Sequence, residues 1–344
     1  MATFTILNAP LVVSAFSPLW VAVGRENNVA YSSDGISWTS YQSTEPVSTG
    51  GQAIAFGKDA DGNDLWIKSR WWDTTAEVSV SSDPTQSGSW TVRNTPMTSS
   101  IDVAYGNNVW VAVGRDGTSR STDGGQTWPL VTLPGGAAMS SNAANASVAT
   151  DGSGNWVIIA DDGSQYKVYK SLDDGVTWSV TKTWGWLASA QYAAKEVSFG
   201  NGSWMLATAD KKIRMCTAAG LATDSWVDVE TLSDIARDVQ YGYTSGGDEV
   251  WMAVGHDKKC WLSVNNGVTW TQASDIHHAQ PAGIYEGVHA KNVAYYDGAW
   301  VAVLDSLDQN NIFRSVDNGT TWTAVGNSGD SLFGIAINKV LPNT

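Results

Sequence analysis

A formal net charge of −14, from 34 Asp and Glu against 20 Lys and Arg in 344 residues, argues against a phosphate backbone or an anionic bilayer as partner, since either needs a basic stripe. At 42% hydrophobic and only 16% charged, with 34 Gly and 19 Trp, the composition suits short strands, tight turns and aromatic packing rather than helices. No apolar run approaches the roughly 18 residues of a spanning helix, and Met1-Ala2-Thr3-Phe4-Thr5 opens no basic region followed by an apolar core, so a chain made without an export signal or membrane insertion is expected.

From the N-terminus, Val12 to Phe16 reads as a first strand, Trp20-Val21-Ala22-Val23-Gly24 as a second, and Ser32 to Trp38 as a tight turn between a third and a fourth. Runs apolar on both faces belong to strands buried between two layers. First strands recur at Ala53 to Phe56, Val103 to Tyr105, Ser147 to Thr150, Glu196 to Phe199, Asp238 to Tyr241 and Asn292 to Tyr295, each followed by a second strand carrying Trp66, Trp110, Trp156, Trp204, Trp251 or Trp300. The turn returns at Ser81 to Trp90, Ser121 to Trp128, Ser171 to Trp178, Ser263 to Trp270 and Ser315 to Trp322, with a worn copy at Thr217 to Trp226. In these turns a Ser closes one strand, and Asp34, Asp83, Asp123, Asp173, Asn265 or Asp317 can accept backbone N–H bonds. A Gly able to take positive φ follows in most copies, and a Trp opens the next strand. These carboxylates are assigned a structural role, holding the turn, rather than a site. Four antiparallel strands recurring about every 45 residues, seven times over, specify an all-β, seven-bladed β-propeller, with residues 1–344 as one domain. Both ends carry extra copies. Phe4 to Pro10 echoes a fourth strand and Gly334 to Ile337 a first, and one of them should clasp the ring so that no edges stay unpaired.

Five turns keep the Ser-x-Asp/Asn start and the Gly-x-Ser/Thr-Trp ending within one residue of length, so the chain resembles the Asp-box (bacterial neuraminidase repeat) propellers over nearly its whole length. That group includes sialidases, sortilin-like receptors, photosystem II assembly propellers, glucan-cleaving enzymes, bacterial lectins and propellers of phage virions, and the resemblance implies fold more firmly than function. Runs such as Trp110-Val111-Ala112-Val113-Gly114 followed by Ser121 to Trp128 resemble phage propellers in particular. That likeness implies a virion protein, a tail, fibre or decoration component binding a host glycan or another virion protein; a soluble carbohydrate-binding lectin and a glycoside hydrolase of sialidase-like fold are the alternatives, and outside a virion the location would be cytoplasmic.

The catalytic set of a sialidase is not recognisable. The early Phe-Arg-Ile-Pro signature is missing, Tyr285 and Glu286 are adjacent and would point apart in a strand, and Arg25, Arg70 and Arg115 form a triad only by blade order. No catalytic residue, cofactor motif or His/Cys metal spacing is assigned. Asp59-Ala60-Asp61-Gly62-Asn63-Asp64 has oxygen ligands at alternating spacing but no bidentate Glu, and reads as an exposed turn rather than a calcium loop. His277, His278 and His289 read as solvated loop histidines, and Cys216 and Cys260 as packed free thiols in strands too far apart to bridge. The stronger lead is aromatic residues outside the repeat frame: Trp71 and Trp72 beside Arg70 and Asp73, and Trp184, Trp186 and Tyr192 in a long link. These are the candidate ligand-binding residues, since an aromatic face with nearby charged groups can hold a pyranose ring; equally, the loops can fold back and bury their rings as caps.

Overall fold

A computed structural model describes residues 17–45, 50–70, 77–97, 99–114, 117–134, 146–161, 165–185, 196–244, 246–276, 288–306 and 310–339. Those residues form seven four-stranded antiparallel sheets. The innermost strands, in ring order, are Leu332–Ile337, Ile54–Lys58, Ser100–Gly106, Ala146–Thr150, Glu196–Gly200, Ala236–Tyr243 and His289–Tyr296, and each packs against the next until the last returns to the first. We number the blades one to seven in that order. The expected seven-bladed propeller is the fold observed.

A strand from the far end of the chain makes the clasp. Leu332–Ile337 pairs with Trp20–Gly24, placing Trp20 opposite Ile337, Val21 opposite Ala336 and Val23 opposite Gly334. Asn338 locks the join: Leu19 N donates to its Oδ1 at 2.7 Å, and its Nδ2 donates to Ser17 O at 3.0 Å. The inner strand expected at Val12 to Phe16 is therefore corrected to Leu332–Ile337; Val12 to Phe16 and the Phe4 to Pro10 copy lie outside the described residues.

The second strand of each blade is buried on both faces because a neighbouring blade covers each side. Trp20, Trp66, Trp110, Trp156, Trp204, Trp251 and Trp300 are at most 2% exposed. The core is accordingly a set of wedges between adjacent blades rather than one central mass. One wedge joins Val111 and Val113 of blade three to Trp156, Ile158 and Trp178 of blade four; another joins Met252 and Cys260 of blade six to Trp300 and Phe313 of blade seven. Burying each large side chain contributes roughly 1.5–3 kcal/mol of transfer free energy. Cys216 and Cys260 are buried and unpaired within these wedges, and burial pushes the Cys216 thiol up to about 11.

The aspartate turns show why their residues are spaced as they are. At blade three, Ser121 Oγ donates to Asp123 Oδ1 at 2.7 Å and accepts from Gly125 N at 2.9 Å, while Asp123 accepts from Thr127 N at 2.9 Å. Trp128 Nε1 closes the turn on Gly125 O at 3.0 Å. Gly125 has φ 76°, and a Cβ there would lie 2.7 Å from Ile67 Cδ1 of blade two, so the position demands glycine for conformation and for contact alike. Asp173 and Asp317 repeat the pattern. Asn265 keeps the acceptor for Thr269 N at 2.9 Å but donates its amide to Thr269 Oγ1 at 2.8 Å, where an Asp would accept. Asp34 accepts from Ile36 N and Ser37 N at 2.8 and 2.7 Å, which pull its carboxyl down to about 2. Asp83 accepts from Thr85 N at 3.1 Å. In blade five the turn is replaced by a short helix, Ala218–Ala222, whose N-terminus Thr217 caps by accepting from Gly220 N at 3.0 Å.

Candidate functional site

The seven innermost strands enclose an axial cavity of about 990 Å³. Its wall is stratified because the strands share one register against the second strands. Asp102, Ser147, Glu196 and Asn292 stand opposite Val113, Ile159, Ala207 and Val303 respectively, and Asp238 stands opposite Val254. This polar layer reaches sideways, from blade to blade. Val148 N donates to Asp102 Oδ2 at 2.9 Å, Val197 N to Ser147 Oγ at 3.2 Å, Val293 N to Asp238 Oδ2 at 2.7 Å, and Ile335 N to Asn292 Oδ1 at 3.0 Å. Ser147 Oγ in turn donates to Glu196 Oε1 at 3.0 Å. Blade two has Ala53 at this level, and Ser69 of its second strand donates instead to Ile101 O at 3.0 Å.

Three acids in one narrow layer repel ionisation. Burial pushes Asp102 up to about 6 and Asp238 up to about 7, and drives Glu196 well above the carboxylate range, with Asp102 and Asp238 as its charged neighbours. Their oxygens are nonetheless engaged. Asp102 Oδ1 accepts from Val103 N at 2.8 Å and Asp238 Oδ1 from Gln240 Nε2 at 3.1 Å. These groups fasten blades together before they do anything else.

Toward the aspartate-turn face the wall becomes aromatic. Phe56, Tyr105, Phe199, Tyr241 and Tyr295 each stand opposite the buried Trp of their own blade, with ring centroids 5.1, 4.8, 4.7, 5.3 and 4.8 Å apart. Each ring needs room in the blade before it. A Cβ on Gly200 would fall 2.2 Å from Tyr241 Cγ, and one on Gly57 2.3 Å from Tyr105 Cγ, so glycine follows the aromatic residue to admit the next ring. Blades six and seven depart from this pattern. Tyr243 of blade six falls where Lys58, Asn107 and Asn201 fall in blades two, three and five, and Tyr296 of blade seven takes the place of the glycine that follows the ring in those blades. A groove of about 530 Å³ results, lined by Tyr243, Thr244, Tyr295, Tyr296, Asp297 and Val316 among others.

At the opposite mouth Lys291 Nζ lies 2.8 Å from Asp305, and the His256 and His289 rings stack at 4.2 Å. Burial, with Arg237, His256 and Lys291 nearby, pushes His289 down to about 4 and keeps it neutral near pH 7. His289 is therefore a packed residue at the start of an inner strand rather than a solvated loop residue; His277 and His278 lie outside the described residues.

Of the sequence-derived ligand residues only Arg70 and Trp184 are described, and they lie in blades two and four. Arg70 is 1% exposed and belongs to a buried network between blades one and two, a correction to its assignment as a ligand group. Its Nη1 lies 3.3 Å from both Glu45 Oε1 and Ser79 Oγ, while Lys68 Nζ donates to Glu45 Oε2 at 2.6 Å and sits 4.6 Å from the Trp90 ring centroid. Of the arginine triad, Arg70 is committed to these partners, Arg25 is exposed beside Glu26 at 3.9 Å, and Arg115 lies outside the described residues. Trp184 is half-buried in the outer strand Ser179–Gly185, with the Arg214 guanidinium 4.6 Å above its ring, so one sugar-stacking face is already taken. Arg214 is itself fixed by Asp228 at 2.9 Å and by Asp210. Trp71, Trp72, Asp73, Trp186 and Tyr192 lie outside the described residues.

In the Asp59 to Asp64 loop, Asp59 Oδ1 accepts from Asp61 N and Asn63 N at 2.9 and 2.8 Å, an Asx turn that occupies the oxygens a cation would use. Among the described residues no cluster of three or more His, Cys, Asp or Glu could hold a metal ion, and no helix is long and apolar enough to cross a membrane.

No family model and no curated protein sequence matches the chain. Solved structures do. A Bacteroides uniformis protein provisionally assigned as a 6-phosphogluconolactonase aligns with TM-score 0.61 at 13% identity, over 94% of this chain and 100% of its own. YCF48 from Cyanidioschyzon merolae aligns with TM-score 0.55 at 15% identity, over 83% and 88%. The Niastella koreensis GH74 enzyme gives 0.54 at 14%, over 88% of this chain and 43% of its own. The likeness is one of fold. At such identities neither the GH74 enzyme nor the Bacteroides protein lends its chemistry to this chain.

Proposed function

We propose that the chain is a non-enzymatic recognition propeller of the Asp-box kind, a phage virion component (tail, fibre or decoration protein) that binds a host glycan or another virion protein. Membership of that group is supported by the Ser, Asp, Gly and Trp contacts repeated from turn to turn, as at Ser121, Asp123, Gly125 and Trp128. The observation that carries the recognition reading is the aromatic mouth on the aspartate-turn face, where tyrosines locked against buried tryptophans leave part of their rings open. Rings fixed in advance lose little entropy when a ligand stacks on them. A glycan array probed with the full chain tests the glycan arm, and mass spectrometry of purified particles tests the virion arm. Absence of the chain from particles, together with no glycan or virion-protein partner, would end the reading.

A second reading, a glycoside hydrolase of sialidase-like fold, is favoured by one observation: Asp102 and Asp238, with carboxyls near 6 and 7, have the raised pKa that acid–base catalysts use. Their hydrogen bonds to Val148 N and Val293 N argue for blade fastening instead. Hydrolysis of fluorogenic glycosides at several pH values decides between them: turnover abolished by Asp238→Asn or Asp102→Asn would replace the recognition reading with the enzymatic one.

A further inference from the structure

We infer that the groove between the inner hairpins of blades six and seven binds a neutral hexopyranose unit of a glycan. The inference rests on the glycan-recognition reading above and assigns it a place. The groove's volume of about 530 Å³ lies within the roughly 300–1,000 Å³ usual for small-ligand sites. Its floor is made of rings held in place. Tyr295 packs tilted against Trp300 with ring centroids 4.8 Å apart and accepts from Gly298 N at 2.9 Å through its hydroxyl, and Tyr243 lies 5.3 Å from Tyr241 and 6.2 Å from Tyr295. Tyr243 is 38% exposed, so part of its ring is open to a partner.

A pyranose matches this surface in two ways. Its axial C–H face is apolar and flat enough to lie on a tyrosine ring. Its hydroxyls need acceptors and donors at the rim, which exposed Asp297 and Lys339 supply: a carboxylate can accept from two vicinal hydroxyls, and an ammonium can donate to a third oxygen. A neutral sugar is specified because the surrounding turns carry Asp248, Glu249, Asp297 and Asp317 against the single Lys339, and they repel sialic, uronic or sulfated units. An extended peptide fits less well: it recognises a free sheet edge, and the strands here are already paired through Tyr243 to Glu249 and Tyr296 to Ala299. The aromatic doubling is also a departure from the repeat. Tyr243 falls where Lys58, Asn107 and Asn201 fall in other blades and Tyr296 where Gly57, Gly106 and Gly200 fall, and the repeat itself does not require a ring at either place.

The test uses the full chain and saturation-transfer NMR with methyl β-glucopyranoside, methyl β-galactopyranoside and methyl α-mannopyranoside, alongside an array that carries neutral, sialylated and sulfated glycans. At least one neutral probe is expected to bind, with Tyr243→Ala weakening it by about tenfold or more and Asp297→Asn weakening it as well, while both variants melt with the parent. Undiminished binding in both variants would overturn the groove as the site and leave glycan recognition standing elsewhere. Binding confined to sialylated or sulfated probes would overturn the neutral class. No binding to any probe would remove the groove proposal and the glycan reading together.

Discussion

Replacing Asp238 by Asn tests whether the carboxyls of the channel are fasteners held at a cost. Asp238 is fully buried and its carboxyl is pushed up to about 7 from an ordinary 3.8 by burial, with Asp102 adding repulsion. A raised folded-state value means the native chain binds a proton that the unfolded chain has released. The contribution is therefore whole below about pH 4, shrinks as pH rises, and is gone above about 7. At about 1.4 kcal/mol per pH unit the full span is on the order of 4 kcal/mol, shared with neighbouring acids that titrate together. The substituted amide would keep an oxygen for Val293 N, now 2.7 Å from the carboxylate, and carry no charge. We expect Asp238→Asn to unfold at higher urea than the parent at pH 8, by about 1–3 kcal/mol, and to match it near pH 4.5. The assay is urea denaturation followed by tryptophan fluorescence at the two pH values. Equal destabilisation of the variant at both pH values would refute the argument, because the loss would then not follow the ionisation of the carboxyl.

Other expectations follow from the same contacts. Glu45→Gln should destabilise by about 3–5 kcal/mol, because it takes the carboxylate from Lys68, 2% exposed at the side chain, and leaves the buried Arg70 to Glu77 and Ser79; an unchanged melting temperature would show that the Glu45 charge holds nothing there. Trp128→Ala should cost about 3–5 kcal/mol, since the ring is 4% exposed and packs with Ile67 and Trp110, and calorimetry would detect the loss. Ending the chain before Leu332 removes the strand paired with Trp20–Gly24, and should expose the edge of blade one and bring aggregation or loss of cooperative melting; a soluble chain with the parent melting curve would contradict the clasp. Below about pH 4 stability should fall again as Asp34, held near 2 by Ile36 N and Ser37 N, is protonated; circular dichroism melts across the acid range would follow it.

The architecture is legible because a propeller writes its period directly into the chain. Trp-Val-Ala-Val runs, a Ser-x-Asp turn and a Trp after it are enough to place six inner strands. The seventh is misplaced because a local pattern cannot show that a strand from the far end supplies the pairing, although Gly334 to Ile337 carries the right apolar spacing. The candidate site is less legible. Arg70 looks like a hairpin charge, yet its partner Glu45 comes from the preceding inter-blade link, a contact invisible to sequence spacing. Two signals in the sequence could have found the channel and its mouth. One is the polar residue just before the buried Val of successive inner strands, as in Asp102-Val103, Ser147-Val148, Glu196-Val197, Asp238-Val239 and Asn292-Val293. The other is the extra tyrosine in Tyr241-Gly242-Tyr243 and Tyr295-Tyr296, which stands where the other hairpins carry Lys or Asn in the first case and Gly in the second.

We propose that this ring recognises sugars through the tyrosines that depart from its repeat. A crystal of the full chain soaked with the neutral methyl glycoside that binds most strongly addresses it directly. An intact sugar ring stacked on Tyr243 or Tyr296, with hydroxyls at Asp297, is the expected result. Sugar bound instead along Asp102, Glu196 and Asp238, or cleaved there, would contradict it.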